Sequence, residues 1–170
     1  RNRRSREIEI ELAGKERTLY QIIEGSTIPT FVINQDHIIT HWNRAVEKLT
    51  GLPASQQIGT DRQWAPFYDS PRPAMADVIL DQTDENEIHR LYGSSWRRAA
   101  LIEGAYEAEG FFSRLGNGGK WCWFTAAPIR SPDGCIVGAI ETLWDKTEDK
   151  RAEQERERHT AELSAMVSIY

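Results

Sequence analysis

The groups through which this chain could do chemistry are few, and their spacing supports little catalysis. Cys122 and Cys135 lie thirteen positions apart with no CxxC pair, which indicates neither a zinc site nor a redox dithiol. Unpaired thiols fit a reducing cytoplasm. No Ser-His-Asp order, paired histidine ligands or nucleophile motif occurs, which argues against an enzyme in its own right. Gly116, Gly118 and Gly119 lack the Lys-Ser/Thr ending that opens a helix under a bound phosphate, so Asn117-Gly118-Gly119 reads as a turn. Arg97-Arg98, beside Gly93, Ser94 and Ser95, offers guanidinium forks suited to carboxylates or phosphates; the alternative is plain surface solvation. Asp77, Asp81 and Glu85 read as the solvated side of a helix.

The elements that must position these groups are legible from pattern. With 39% apolar and 28% charged residues, 170 residues suffice for one packed domain with flanking segments. A net charge of −5 argues against a nucleic-acid binder, and the basic start Arg1 to Arg4 reads as a solvated helix start. No apolar run approaches the roughly 20 residues that cross a bilayer. The chain does not begin with Met and reads as a piece of something longer.

Ile8, Leu12, Leu19 and Ile22 fall on one helical stripe, although Ile8, Ile10 and Leu12 also alternate as a short strand would. Thr30–Ile33 and His37–Trp42 read as paired strands around the turn Asn34-Gln35-Asp36. Asn43 is an N-cap for a helix over Arg44–Thr50 that Gly51 stops, and a second short helix follows Pro53. Prolines make 61–72 a loop, and helices follow over 73–82 and 85–92. Strands are predicted over 105–115, 120–129 and 135–144, separated by Asn117-Gly118-Gly119 and Ser131-Pro132-Asp133-Gly134. From Glu148 the chain is a charged helix. Its seam residues Ala152, Arg156, His159, Leu163, Met166 and Tyr170 have the spacing of a marginal parallel coiled coil. The division is thus a flanking helix over 1–24, a domain over 25–147 and an exit helix over 148–170. The fold class is α+β, one five-stranded antiparallel sheet with short helices over one face.

At this point residues match a known pattern. His41-Trp42-Asn43-Arg44-Ala45 running to Thr50-Gly51 resembles the PAS family, in which a strand ends in Trp-Asn-Arg-Ala and enters a helix closing on Thr-Gly. Trp121 through Gly138 resembles the last hairpin of such domains, and Asp145-Lys146-Thr147 resembles their Asp-x-Thr exit motif. The resemblance covers about residues 18 to 150, with a middle segment, 60–104, longer than usual. It implies a cytoplasmic input module of bacterial sensor kinases or cyclic-dinucleotide proteins. Such a module binds a small molecule, often forms a homodimer, and signals through Asp145, Thr147 and the exit helix to an output that does not follow here. The alternative is a ligand-free dimerisation module.

Anchoring strand alternation at Leu143, which the resemblance places toward the pocket, sorts the remaining faces. Leu143, Glu141, Ala139 and Val137 turn inward, as do Cys122, Phe124, Ala126, Ile39 and His41. Trp42, Trp121, Trp123 and Trp144 turn outward, under the N-terminal helix or a partner subunit. Trp64 and Trp96 are candidates for a pocket lid, and Arg97 for a ligand contact. An inward Glu141 is costly unless bonded, either to a polar ligand or to Arg97, Arg98 or His41. The ligand and cofactor stay unnamed. His41 and His89 are the haem candidates, and the absence of cysteine before position 122 rejects the covalent flavin version while leaving non-covalent flavin open.

Overall fold

The structure is a computed structural model that describes residues 2–169. Arg1 and the last seam residue, Tyr170, lie outside the described residues. Helix α1 (Asn2–Glu24) precedes strands β1 (Thr30–Asn34) and β2 (Ile39–Trp42). Helices α2 (Arg44–Thr50), α3 (Ala54–Gln57), α4 (Met75–Leu80) and α5 (Glu85–Tyr92) follow. Strands β3 (Arg97–Arg98), β4 (Tyr106–Phe112), β5 (Lys120–Arg130) and β6 (Ile136–Asp145) then lead into α6 (Thr147–Val167).

The sheet is antiparallel in the order β2-β1-β6-β5-β4-β3. It has six strands where five were expected. The extra one, β3, is a two-residue edge strand pairing Arg97 with Glu107 and Arg98 with Tyr106, too short to leave a periodic signal. β1 runs against the central strand β6, closely enough that a Cβ on Gly138 would stand 2.6 Å from the Ile33 carbonyl oxygen.

Asn43 does more than cap a helix. Its Oδ1 accepts from Val46 N and from Thr30 N, both at 3.0 Å. Its Nδ2 donates to the carbonyls of Ile23 and Ile28 at 3.0 and 2.9 Å. One buried amide therefore joins the end of α1, the start of β1 and the start of α2. Asn34 shapes the β1–β2 turn, its Oδ1 accepting from Asp36 N and Ile38 N. That turn takes in His37 at φ 63°, so β2 begins two residues later than its pattern predicts.

The core lies between the sheet and α2, α4 and α5, with Met75, Val78 and Ile79 of α4 laid across the inner face. Asp77 of α4 was expected in solvent and is instead buried, 6% exposed, because three donors converge on its carboxylate. α1 buries only Ile23, leaving Ile8, Leu12, Leu19 and Ile22 exposed, and no residue of α6 is buried. Among the described residues, no helix is long and apolar enough to cross a membrane.

Candidate functional site

Face sorting by alternation holds on the two long strands. Paired residues share a face, and the pairs Phe124–Leu143, Ala126–Glu141 and Ala139–Ile33 are all buried on the inner side. On β2 it fails. Val32 pairs with His41 and Ile33 with Ile39, so Thr40 is an extra residue in a β-bulge. Beyond the bulge the alternation inverts. Trp42 turns inward, 2% exposed, with its ring centroid 5.5 Å from that of Phe31 and its indole N–H donating to the Leu52 carbonyl. His41 turns outward, its Nδ1 2.9 Å from Thr40 Oγ1, and partial burial lowers its pKa.

Glu141 sits at the centre of the inner face, 4% exposed. None of the cations proposed for it is there. Arg97 pairs with Glu107 on the outer side, Arg98 pairs with Glu85 of α5, and His41 faces away. Its Oε2 instead accepts from the Ala76 backbone N–H of α4 at 2.8 Å. Burial pushes its pKa up to about 8; the hydrogen bond opposes this and the charge of Asp77 adds to it. The group is therefore mostly protonated at neutral pH.

Above Glu141 the space between sheet and helices is nearly closed, about 10 Å³, lined by Phe67, Tyr68, Met75, Tyr92, Phe112 and Leu143 among others. That is room for one water. Phe67, Phe112 and Phe124 stack edge to face or tilted along it, with centroids 5.3 and 5.9 Å apart. The Arg72 guanidinium lies 4.0 Å from the Tyr68 ring centroid and 5.1 Å from that of Tyr92. Its Nη2 donates to the Leu91 carbonyl, and its Nε is buried without a partner. Burial raises the Tyr68 phenol to about 12.

Of the predicted ligand contacts, Phe124, Glu141 and Leu143 line this space. Ile39 and Cys122 belong to the same buried face but pack into the core beside it. The Cys122 thiol, pushed up to about 12 by burial, is inert. Trp64 is half-buried in the turns over 62–68, and Trp96 packs edge-on to Tyr106, so neither forms a lid. His89 is exposed on α5, whose buried residue is Ile88. Among the described residues no histidine lines this space, and in this conformation it is too small for haem or flavin. Arg72, Tyr68, Tyr92 and Phe67 are not among the residues that the sequence pattern singles out; the signal there is the aromatic pair Phe67-Tyr68 inside a proline-rich loop.

On the outer face, Trp121 and Trp123 are half-buried and Trp144 is 41% exposed. α1 does not cover them. A groove of about 490 Å³ runs between this face and the start of α6, lined by Arg97, Glu107, Trp123, Lys146 and Lys150 among others. Lys146 lies over Trp123 and Lys150 over Trp121, 5.8 and 5.4 Å from the ring centroids. At the exit, Asp145 Oδ1 accepts from Thr147 N and Oγ1 at 3.0 and 2.6 Å. Thr147 Oγ1 accepts in turn from Trp121 N at 3.1 Å, and Lys146 N donates to the Trp121 carbonyl at 2.8 Å. Burial works against the Asp145 charge, but hydrogen bonds from Thr147 and Lys120 outweigh it and lower the pKa.

An antiparallel sheet with short helices over one face and a long helix leaving its central strand is the frame of the PAS fold, a sensory and regulatory module. The family model of the PAS fold matches residues 17–143, and the chain belongs to that family. It is 24% identical over 140 residues to phytochrome B of Sorghum bicolor, covering 82% of this chain and 11% of the phytochrome. It is 39% identical over 49 residues to phytochrome B-2 of Glycine max, 29% of this chain and 4% of that one. The chain thus spans a small part of the length of these relatives. The PAS domain of Bordetella pertussis BvgS superposes with a TM-score of 0.51 at 17% identity, over 87% of this chain and 97% of that one. An RNA-binding light-oxygen-voltage receptor superposes with 0.56 at 18%, over 89% and 38%. Both likenesses concern the fold.

Proposed function

We propose that the module receives an input at the inner face around Glu141 and relays it through β6 to α6, and from there to an output domain. One observation carries this reading: Glu141 and the exit cap Asp145 stand on the same strand. A change in packing at the first reaches the second through the three intervening residues of a continuous strand. The proposed input is a small polar molecule that displaces Tyr68 and Tyr92 and bonds the Glu141 carboxyl group. The module acts as a switch and not as a catalyst. Its net charge of −5 and the acidic partners of Arg97, Arg98, Lys146 and Lys150 speak against nucleic acid as the partner. Free Cys122 and Cys135 fit work in a reducing cytoplasm.

The small residual space favours a second reading, in which the plugged interior binds nothing and the flanking helices pair two copies. Native mass spectrometry against the denatured mass separates the two. An adduct lost in E141A supports the ligand, whereas equal masses in every preparation favour pairing alone. In the parent protein, D145A is expected to uncouple input from output while the fold persists; unchanged signalling would refute the relay.

A further inference from the structure

We propose that His37 is a proton-operated staple between the β1–β2 turn and α4, fastened only when both ring nitrogens carry protons. The ring stands between two carboxylates, with Nδ1 2.6 Å from Asp77 Oδ1 and Nε2 2.8 Å from Asp81 Oδ1. Only the imidazolium donates from both sides; a neutral ring turns a lone pair toward one of the two acids. The backbone at His37 is left-handed, φ 63°, a conformation that turns usually give to Gly, Asn or Asp. Neighbours hold it there: Gln63 Nε2 donates to the His37 carbonyl at 3.1 Å and to Asp77 Oδ1 at 2.7 Å. An unfavourable backbone that places a side chain between two acids points to a use for that side chain.

The helix so fastened is the one that covers the inner face. Within α4, Ala76 N–H donates to Glu141, and Asp77 Oδ2 accepts from Ala74 N at 2.8 Å. The staple therefore sets how firmly the cover is held over the interior. The charged and titratable groups around it are Asp36 in its own turn, Asp77 of α4 and Asp81 at its C-terminal cap, and Glu141 of β6 beyond Asp77; the loop contributes neutral Gln63. Burial disfavours the imidazolium, but Asp77 and Asp81 together more than offset this, and the pKa is raised above 6.5. A histidine raised on folding contributes stability that is complete below 6.5 and lost as pH rises through the folded value. Loosening is thus expected as pH rises above 6.5. The device requires neither a ligand nor an output domain, so it stands or falls apart from the relay.

The test is a long-range ¹H–¹⁵N titration of the imidazoles from about pH 5 to 9, with amide exchange in α4 corrected for its intrinsic pH dependence. His37 is expected to titrate above 6.5 with both nitrogens protonated below its midpoint. The amides of Val78 and Asp81 are expected to exchange about tenfold faster above it. H37N, which tolerates the left-handed backbone, should remove that step. D81N should shift the His37 midpoint down; Asp81 is exposed, so this variant keeps the core and is decisive by itself. E141Q should leave the step in place, separating it from ionisation of Glu141. A His37 midpoint at or below 6.5, a midpoint unmoved in D81N, a step that survives H37N, or one abolished by E141Q would overturn the proposal.

Discussion

At pH 7 the carboxyl group of Glu141 keeps its proton, because burial lifts its pKa to about 8 from an ordinary 4.5. Between those values the folded chain holds a proton that the unfolded chain has released, so stability falls as pH rises through this range. A glutamine in its place would keep an acceptor for Ala76 N–H without titrating. E141Q is expected to be more stable than the parent at pH 8.5 by about 2–4 kcal/mol and close to it at pH 4.5, as read from urea midpoints. An equal difference at both pH values would contradict the assignment. Asn43 is the other residue on which much depends. N43A removes a helix cap and leaves Thr30 N and Val46 N without their acceptor, an expected loss of about 2–4 kcal/mol, measurable by the same unfolding curves.

At the scale of elements, β2 and α6 behave differently. The Thr40 bulge changes which face every later residue of β2 presents, and no residue type in His41-Trp42 announces it. The exit of α6 is local chemistry: an acid two residues before a threonine, each satisfying backbone donors at a strand end. T147V removes the hydroxyl that accepts from Trp121 N. Amides of the first α6 turn are expected to exchange about tenfold faster in T147V while sheet amides are unchanged; uniform acceleration would mean the whole fold was weakened instead. At the sheet centre, G138A drives a Cβ against the Ile33 carbonyl. Strands β1 and β6 must then part, with an expected cost of about 1–3 kcal/mol in thermal or urea unfolding.

For the whole molecule, the apolar residues that pack nowhere are concentrated in the two flanking helices: Ile8, Leu12, Leu19 and Ile22 in α1, Leu163 and Met166 in α6. A single chain gains nothing from ordering them, whereas two chains paired through these helices would bury both stripes. Light scattering of the purified chain is expected to give a dimer, and L12D with L19D a monomer of unchanged core. A monomer in the parent would remove the pairing surface from the proposal.

Apart from the two-residue β3, the order of elements and the turns were legible in the sequence, because alternation and Asn-Gly and Pro-Asp-Gly turns are short-range physics; the inward set of β5 and β6 and the Asp145-Lys146-Thr147 exit rested on the resemblance to the family. What closes over Glu141 was not legible. Tyr68 and Arg72 reach it from an aperiodic loop, His37 and Asp77 meet across forty positions, and one extra residue in β2 exchanges His41 for Trp42. Such juxtapositions depend on how distant segments pack, and a backbone register or a buried ion pair leaves no local pattern from which to read it.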